Sequence, residues 1–149
     1  MSAGIHPEAI LRRYDETWLQ LEEVIRSLTD AELSLPGREG EWSGKDILAH
    51  IARWQSVACE VVEARAVGRE PAELYADYDT WNDRWVVEDR TLSTGEIRDR
   101  LAAAGRRLRE LAGSLPGARW DDLVQEWVEQ TGVEHVEEHL ASLRAPISS

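Results

Sequence analysis

WSGKDILAHIARW, residues 42–54, has the make-up of a helix start followed by the first turns of a buried stripe. Ser43 offers its hydroxyl to the amide three residues on, and Asp46 at that position can return its carboxylate to the Ser43 amide, a carboxylate variant of the reciprocal capping box. Ile47, Ile51 and Trp54 then recur at spacings of four and three, which puts them on one helix face. His50 stands three residues after Ile47 and four before Trp54, so it points along the apolar face too. The stripe continues through Ala58, Val61 and Val62 to a stop at Gly68.

Working outward, the same periodicity recurs three times. Pro7 is a favourable first helical residue, and Leu11, Tyr14, Trp18, Leu21, Ile25 and Leu28 follow it at alternating spacings of three and four. SLTDAELSLPGREGE, residues 27–41, interrupts with Pro36, Gly37 and Gly40. A third helix opens at Ser93 with Glu96 in capping-box spacing and carries Ile97, Leu101, Ala104, Leu108, Leu111 and Leu115 before Pro116–Gly117. The fourth runs from about Asp121 to Leu143 and is stopped by Pro146. Thr131–Gly132 is its weak point, where Thr131 and Glu134 have the spacing to cap a fresh helix. Between the second and third helices lies a long connection, residues 69–92, without a sustained apolar period; such a length calls for a short helix of its own or a function. With no alternating strand pattern, the expected fold is all-α: a single domain over residues 1–149, a four-helix bundle of antiparallel helix pairs with a long crossover between helices 2 and 3.

The composition narrows the partners. Seventeen basic and 29 acidic side chains give a net charge of −12, which repels a phosphate backbone, so no nucleic acid is expected. The arginines of RLAAAGRRLRELAG, residues 100–113, alternate with leucines as a solvated helix face does. No 18-residue apolar run and no signal-peptide pattern occur, so neither a membrane span nor export is expected and a cytoplasmic location is. The single cysteine, Cys59, falls among apolar residues and reads as core filling. Seven tryptophans and no phenylalanine leave the indoles to anchor the core or line a cavity.

Three of the four histidines can be brought together by geometry. His135 and His139 lie one turn apart, and at about 100° per residue they share an arc with Val124, Val128 and Leu143. With His50 from a facing helix they make three corners of a tetrahedral site whose fourth corner is open to water or substrate, as in catalytic rather than structural centres. Asp46, Glu134 and Glu138 are the carboxylates near enough in sequence to hold the other ring nitrogens. The plain alternative for each is a hydrogen-bonded core histidine. The intervening residues make HVEEH, so the general-base glutamate of the HExxH proteases has no counterpart. No GxSxG elbow, phosphate-cradling glycine loop or dinucleotide fingerprint is present, and His6 is a helix-start residue. Asn82, in DTWNDRW, is either a turn residue or an amide covering the mouth of the bundle.

WSGKDILAHIARW resembles the second-helix signature of the DinB-like superfamily, Trp-Ser-x-Lys-Asp-x-Leu-x-His-x-x-x-Trp. VEHVEEHL resembles its fourth-helix His-x-x-x-His element. Trp81–Asn82 and the crossover length are similar to the same family, near its ClbS/DfsB-like branch. The resemblance implies a four-helix bundle, often dimeric, holding a divalent metal ion such as zinc or nickel on His50, His135 and His139. Characterised members include thiol-dependent enzymes, among them mycothiol-dependent maleylpyruvate isomerase and bacillithiol transferases, and proteins that detoxify a reactive electrophile. The expected activity is therefore metal-dependent chemistry on a small-molecule substrate, in which the ion activates water or the thiol of a low-molecular-weight cofactor. Arg69, Arg84 and Arg90 are the crossover cations able to dock such a cofactor's carboxylates. The competing reading is a non-catalytic bundle that binds metal or a small molecule. A homodimer is expected in either case, with Trp81, Trp85 or Trp120 at its interface if they are exposed.

Overall fold

The computed structural model describes residues 6–71 and 77–146. The middle of the crossover and the last residues of the tail lie outside the described residues. The elements are α1 (Pro7–Ser27), α2 (Asp30–Ser34), α3 (Gly44–Ala66), α4 (Tyr78–Asp89), α5 (Thr94–Ser114), α6 (Asp122–Glu129) and α7 (His135–Arg144). A π-helical segment, Gln130–Glu134, joins α6 to α7, and a short 3-10 turn, Gly117–Arg119, precedes them. The described residues form no strand; Glu39 and Trp42 make one isolated antiparallel bridge. No helix among the described residues is long and apolar enough to cross a membrane.

Local chemistry sets the helix starts. Ser43 Oγ accepts from the Asp46 amide at 3.0 Å and Asp46 Oδ2 accepts from the Ser43 amide at 3.1 Å, closing the reciprocal box on α3. Ser93 and Glu96 do the same for α5, and Thr29 with Glu32 caps α2, a short helix that sequence periodicity does not reveal. In α1 the buried face is Ile10, Tyr14, Thr17, Leu21 and Val24, while Leu11, Trp18, Ile25 and Leu28 flank it. The apolar stripe is thus turned by about one position from the expected one.

Two apolar clusters make the core. One gathers Leu21, Val24, Leu33, Ile47, Leu48, Ile51, Ile97, Leu101, Val136, Leu140 and Leu143; the other gathers Ile10, Tyr14, Ala58, Val62, Leu108, Ala112, Trp120, Val124, Val128 and Val133. Following the chain, α1 and α6–α7 pass from the second cluster to the first, whereas α3 and α5 pass from the first to the second. The crossover turns out to contain α4, which packs Trp85 and Trp81 against Trp54 and Val57. Arg53 clamps it to α3 with a two-pronged bond, Nε to Asp89 Oδ2 at 2.9 Å and an Nη to Asp89 Oδ1 at 2.7 Å. Cys59 is buried in the second cluster. Trp85 and Trp120 are buried rather than exposed, Trp120 donating its indole N–H to Gln125, so neither offers an interface.

The fourth helix neither breaks nor restarts at Thr131. Its backbone stays helical through a wider π turn, and the cause is tertiary: a Cβ on Gly132 would lie 2.6 Å from Tyr14 Cδ2. Tyr14 cannot move aside, because its single hydroxyl proton is shared between the Gly105 carbonyl at 2.8 Å and Gln55 Oε1 at 3.1 Å. Gln55, fully buried on α3, spends its amide N–H on the Thr131 carbonyl at 3.1 Å. One residue is thereby inserted into the α-helical count. The core stripe runs Val124, Val128, then Val136, Leu140 and Leu143. Val128 and Val136 are eight apart, which share a face only when one residue is taken up by the wide turn. His135 accordingly stands about 100° away from that stripe, on the side of a cavity and out of the arc with Val124 and Val128 that a uniform helix requires, while His139, buried with Val136, Leu140 and Leu143, lies about 60° from it.

Candidate metal centre

α3 and α7 bring the three predicted histidines together. His50 Nε2 lies 2.8 Å from His135 Nε2, which lies 3.1 Å from His139 Nε2. One potential ligand atom from each of the three rings falls within 4.8 Å of the others. The ring centroids are 4.6 to 5.0 Å apart and the planes cross at 69° to 86°, so the rings meet edge-on around a common point.

The protonation states follow from the neighbours. Burial, and then the charges the adjacent imidazoles would carry, push His50 down to about 3 and His135 down to about 4. Both are neutral near pH 7. His139 Nδ1 lies 3.0 Å from Glu39 Oε1, so this nitrogen carries the proton and donates, leaving a lone pair on Nε2. His135 Nε2 sits between two other Nε2 atoms and can hold one proton at most, so it cannot donate to both. A cation that accepts lone pairs resolves that convergence, and three imidazoles are a fitting donor set for zinc or nickel.

A loop that sequence reasoning passed over braces two of the rings. Gly40, at φ +59°, turns the chain so that Glu39 and Trp42 bridge through backbone bonds of 2.9 and 3.2 Å. Glu39 then reaches His139 and also accepts from Ser142 Oγ at 2.8 Å, while Trp42 meets the His50 ring edge-on with centroids 5.0 Å apart. Arg38, beside it, donates to the Leu143 and Ala145 carbonyls at the end of α7. Glu39 is 100 residues from its histidine in sequence and lies in a loop without periodicity, so no local pattern announces it. Of the carboxylates expected to serve this role, Asp46 is committed to its cap and to Arg90, and Glu134 and Glu138 face the cavity instead.

That cavity, about 360 Å³, opens beside His50 and His135. Trp54, Tyr78 and Trp127 give it aromatic walls, Asn82, Gln130 and Thr131 its neutral polar groups, and Glu126, Glu134 and Glu138 its charge. Asn82 belongs to α4 rather than to a turn. Its Oδ1 accepts from Trp54 Nε1 at 2.7 Å and its side chain also hydrogen-bonds the His50 ring. None of Arg69, Arg84 and Arg90 lines the cavity. Arg84 pairs with Glu88 and lies over the Trp81 ring, and Arg90 pairs with Asp46.

A protein of Oceanobacillus iheyensis named "Putative metal-dependent hydrolase" is 26% identical over 146 residues, covering 87% of this chain and 79% of its own. No solved structure matches the chain. The family model of the DinB superfamily matches residues 13–143, from α1 to the end of α7 and including all three histidines, and the chain belongs to that superfamily.

Proposed function

We propose that the protein is a metal-dependent hydrolase built as a four-helix bundle, α1, α3, α5 and α6–α7 being the four members and α4 lying in the crossover. The observation that carries it is the convergence of three imidazoles at one side of a carboxylate-lined cavity. His50, His135 and His139 would hold the ion, and a divalent ion there supplies a Lewis acid that brings bound water toward a neutral pKa. Glu39 fixes the His139 tautomer, and Asn82 together with Trp42 fixes the His50 ring. Trp54 and Trp127 exclude bulk water from one wall. Glu134 or Glu138, flanking the ligand histidines in sequence and lining the cavity, takes the proton from water. The water oxygen bonds to the substrate's electrophilic carbon, the bond from that carbon to the leaving group breaks, and the proton is handed to the leaving group. The relative's name supports hydrolysis. A wall with three carboxylates and no cation is a poor berth for a thiol cofactor that carries carboxylates of its own.

Metal analysis of untagged protein, beside His50→Ala, is the first test. The wild type should contain about one divalent ion per chain and the variant none. Zinc at a hundred times its Kd should add roughly 2.7 kcal/mol to stability in the wild type only. Metal-free wild type that zinc does not stabilise would exclude the centre. Stoichiometric metal with no turnover of any ester or amide would leave a binding protein instead. A cytoplasmic homodimer is part of the proposal on the family resemblance, and sedimentation as a monomer at high concentration would remove the dimer.

A further inference from the structure

We infer that the molecule received by this cavity is an organic cation, carrying an ammonium or guanidinium group that Glu126, Glu134 and Glu138 hold against Trp127 and Tyr78. This substrate class deepens the hydrolase reading and rests on it for the word substrate. Three carboxylates line the cavity and no lysine or arginine does. None of the three forms an ion pair among the described residues, whereas Asp46, Asp89, Glu63, Glu88 and Asp121 each face an arginine elsewhere. Counting a divalent ion on neutral imidazoles as +2 and the carboxylates as −3, the site keeps one negative charge, which a monocation balances and an anion does not. The aromatic faces beside the carboxylates suit a weakly hydrated cation.

Thr131, 8% exposed, lines the same cavity. Its carbonyl is already taken by Gln55, so its hydroxyl is the group it can offer to a ligand.

The test is a titration of zinc-loaded protein with three molecules of nearly equal shape: choline, neutral 3,3-dimethylbutanol and anionic 3,3-dimethylbutyrate, read by tryptophan fluorescence. Choline should bind at least about tenfold more tightly than the alcohol at low salt, the sum of three partly screened attractions. The butyrate should be weakest of the three. Glu126→Gln, which lies away from the ligand histidines in sequence, should weaken choline about threefold and leave the alcohol unchanged. The triple glutamine variant should abolish the preference, and if it fails to fold, the single variant and added salt make the same measurement. Equal binding of choline and the alcohol, tighter binding of the butyrate, or a preference that survives the loss of Glu126 and high salt overturns the inference. Acetate esters of the two alcohols separate this from the hydrolase reading. A cation preference without cleavage of either ester retires the hydrolase and keeps the cation site; equal cleavage without any preference does the reverse.

Discussion

Replacing Gly132 by Ala asks whether the wide turn between α6 and α7 is held open by its neighbour. In an ordinary helix this change stabilises by about 1 kcal/mol, because alanine has the better helix propensity. Here the added methyl would meet Tyr14 at 2.6 and 2.7 Å, from the edge of a buried ring. The ring is stacked on Trp18 with planes 3° apart and its hydroxyl is bonded to Gly105 and Gln55, so it has no free direction of retreat. Overpacking of this kind costs about 1–3 kcal/mol, more than the propensity gain, and a net loss of roughly 1–2 kcal/mol follows. For a chain of this size that is a fall of about 3–6 °C in Tm. Urea melts followed by circular dichroism give the stability, and competition with a chromophoric chelator gives the zinc affinity, which should fall as His135 moves with the turn. Repeating the change in a Tyr14→Ala background should reverse its sign, since the clash is gone and only the propensity remains. A single Gly132→Ala that raises Tm, or a cycle with no coupling between the two positions, would refute this account of the turn.

Glu39→Gln keeps the size of the side chain and removes the charge on His139 Nδ1, and should weaken zinc about tenfold to a hundredfold with little change in the fold; unchanged affinity in the chelator assay would show that Glu39 does not orient the ligand. Gln55→Leu strands the Thr131 carbonyl inside the protein and removes one of the two acceptors of the Tyr14 hydroxyl, leaving it the Gly105 carbonyl, and denaturant unfolding should report a loss of about 1–3 kcal/mol; a neutral result would mean the turn satisfies that carbonyl another way. Burial pushes the Cys59 thiol up to about 11, so at pH 8 it should react with an aromatic disulfide reagent only after denaturation; rapid reaction of the native protein would show that the second cluster is open to solvent.

Features decided by neighbours in sequence were legible, and features decided across the fold were not. The caps at Ser43 and Ser93 follow from side chains that bond three residues away, and both form as the sequence predicts. The inward direction of His50, set by Ile47 and Trp54, follows in the same way. The phase of α1 was missed because Thr17, polar in composition, is buried and bonds to Glu137 on α7 at 3.3 Å. α4 escaped because its packing is aromatic and concentrated at Trp81 and Trp85, and its polar Asn82 points at the site. The three histidines converge although the helix carrying two of them is not uniform, because the spacing of His135 and His139 lies wholly within α7, downstream of the inserted residue. The angle of His135 to Val124 and Val128, which spans the inserted residue, is what a uniform count misplaces.

Gly132 and its neighbours therefore make the centre depend on residue count as well as on residue identity. Deleting one position between 130 and 134 would let α6 and α7 merge into one regular α-helix in which Val128 and Val136 stand seven apart, so the aliphatic stripe and the imidazoles would keep their present faces. Inserting one position there, with no further widening of the turn, would swing everything downstream by about 100°, carrying the imidazoles to where the aliphatic stripe now runs and Val136 and Leu140 out of it. Such a protein would keep its helix content and be blind to metal. One-codon length changes of opposite sign should therefore have opposite outcomes, the deletion sparing metal binding and the insertion abolishing it.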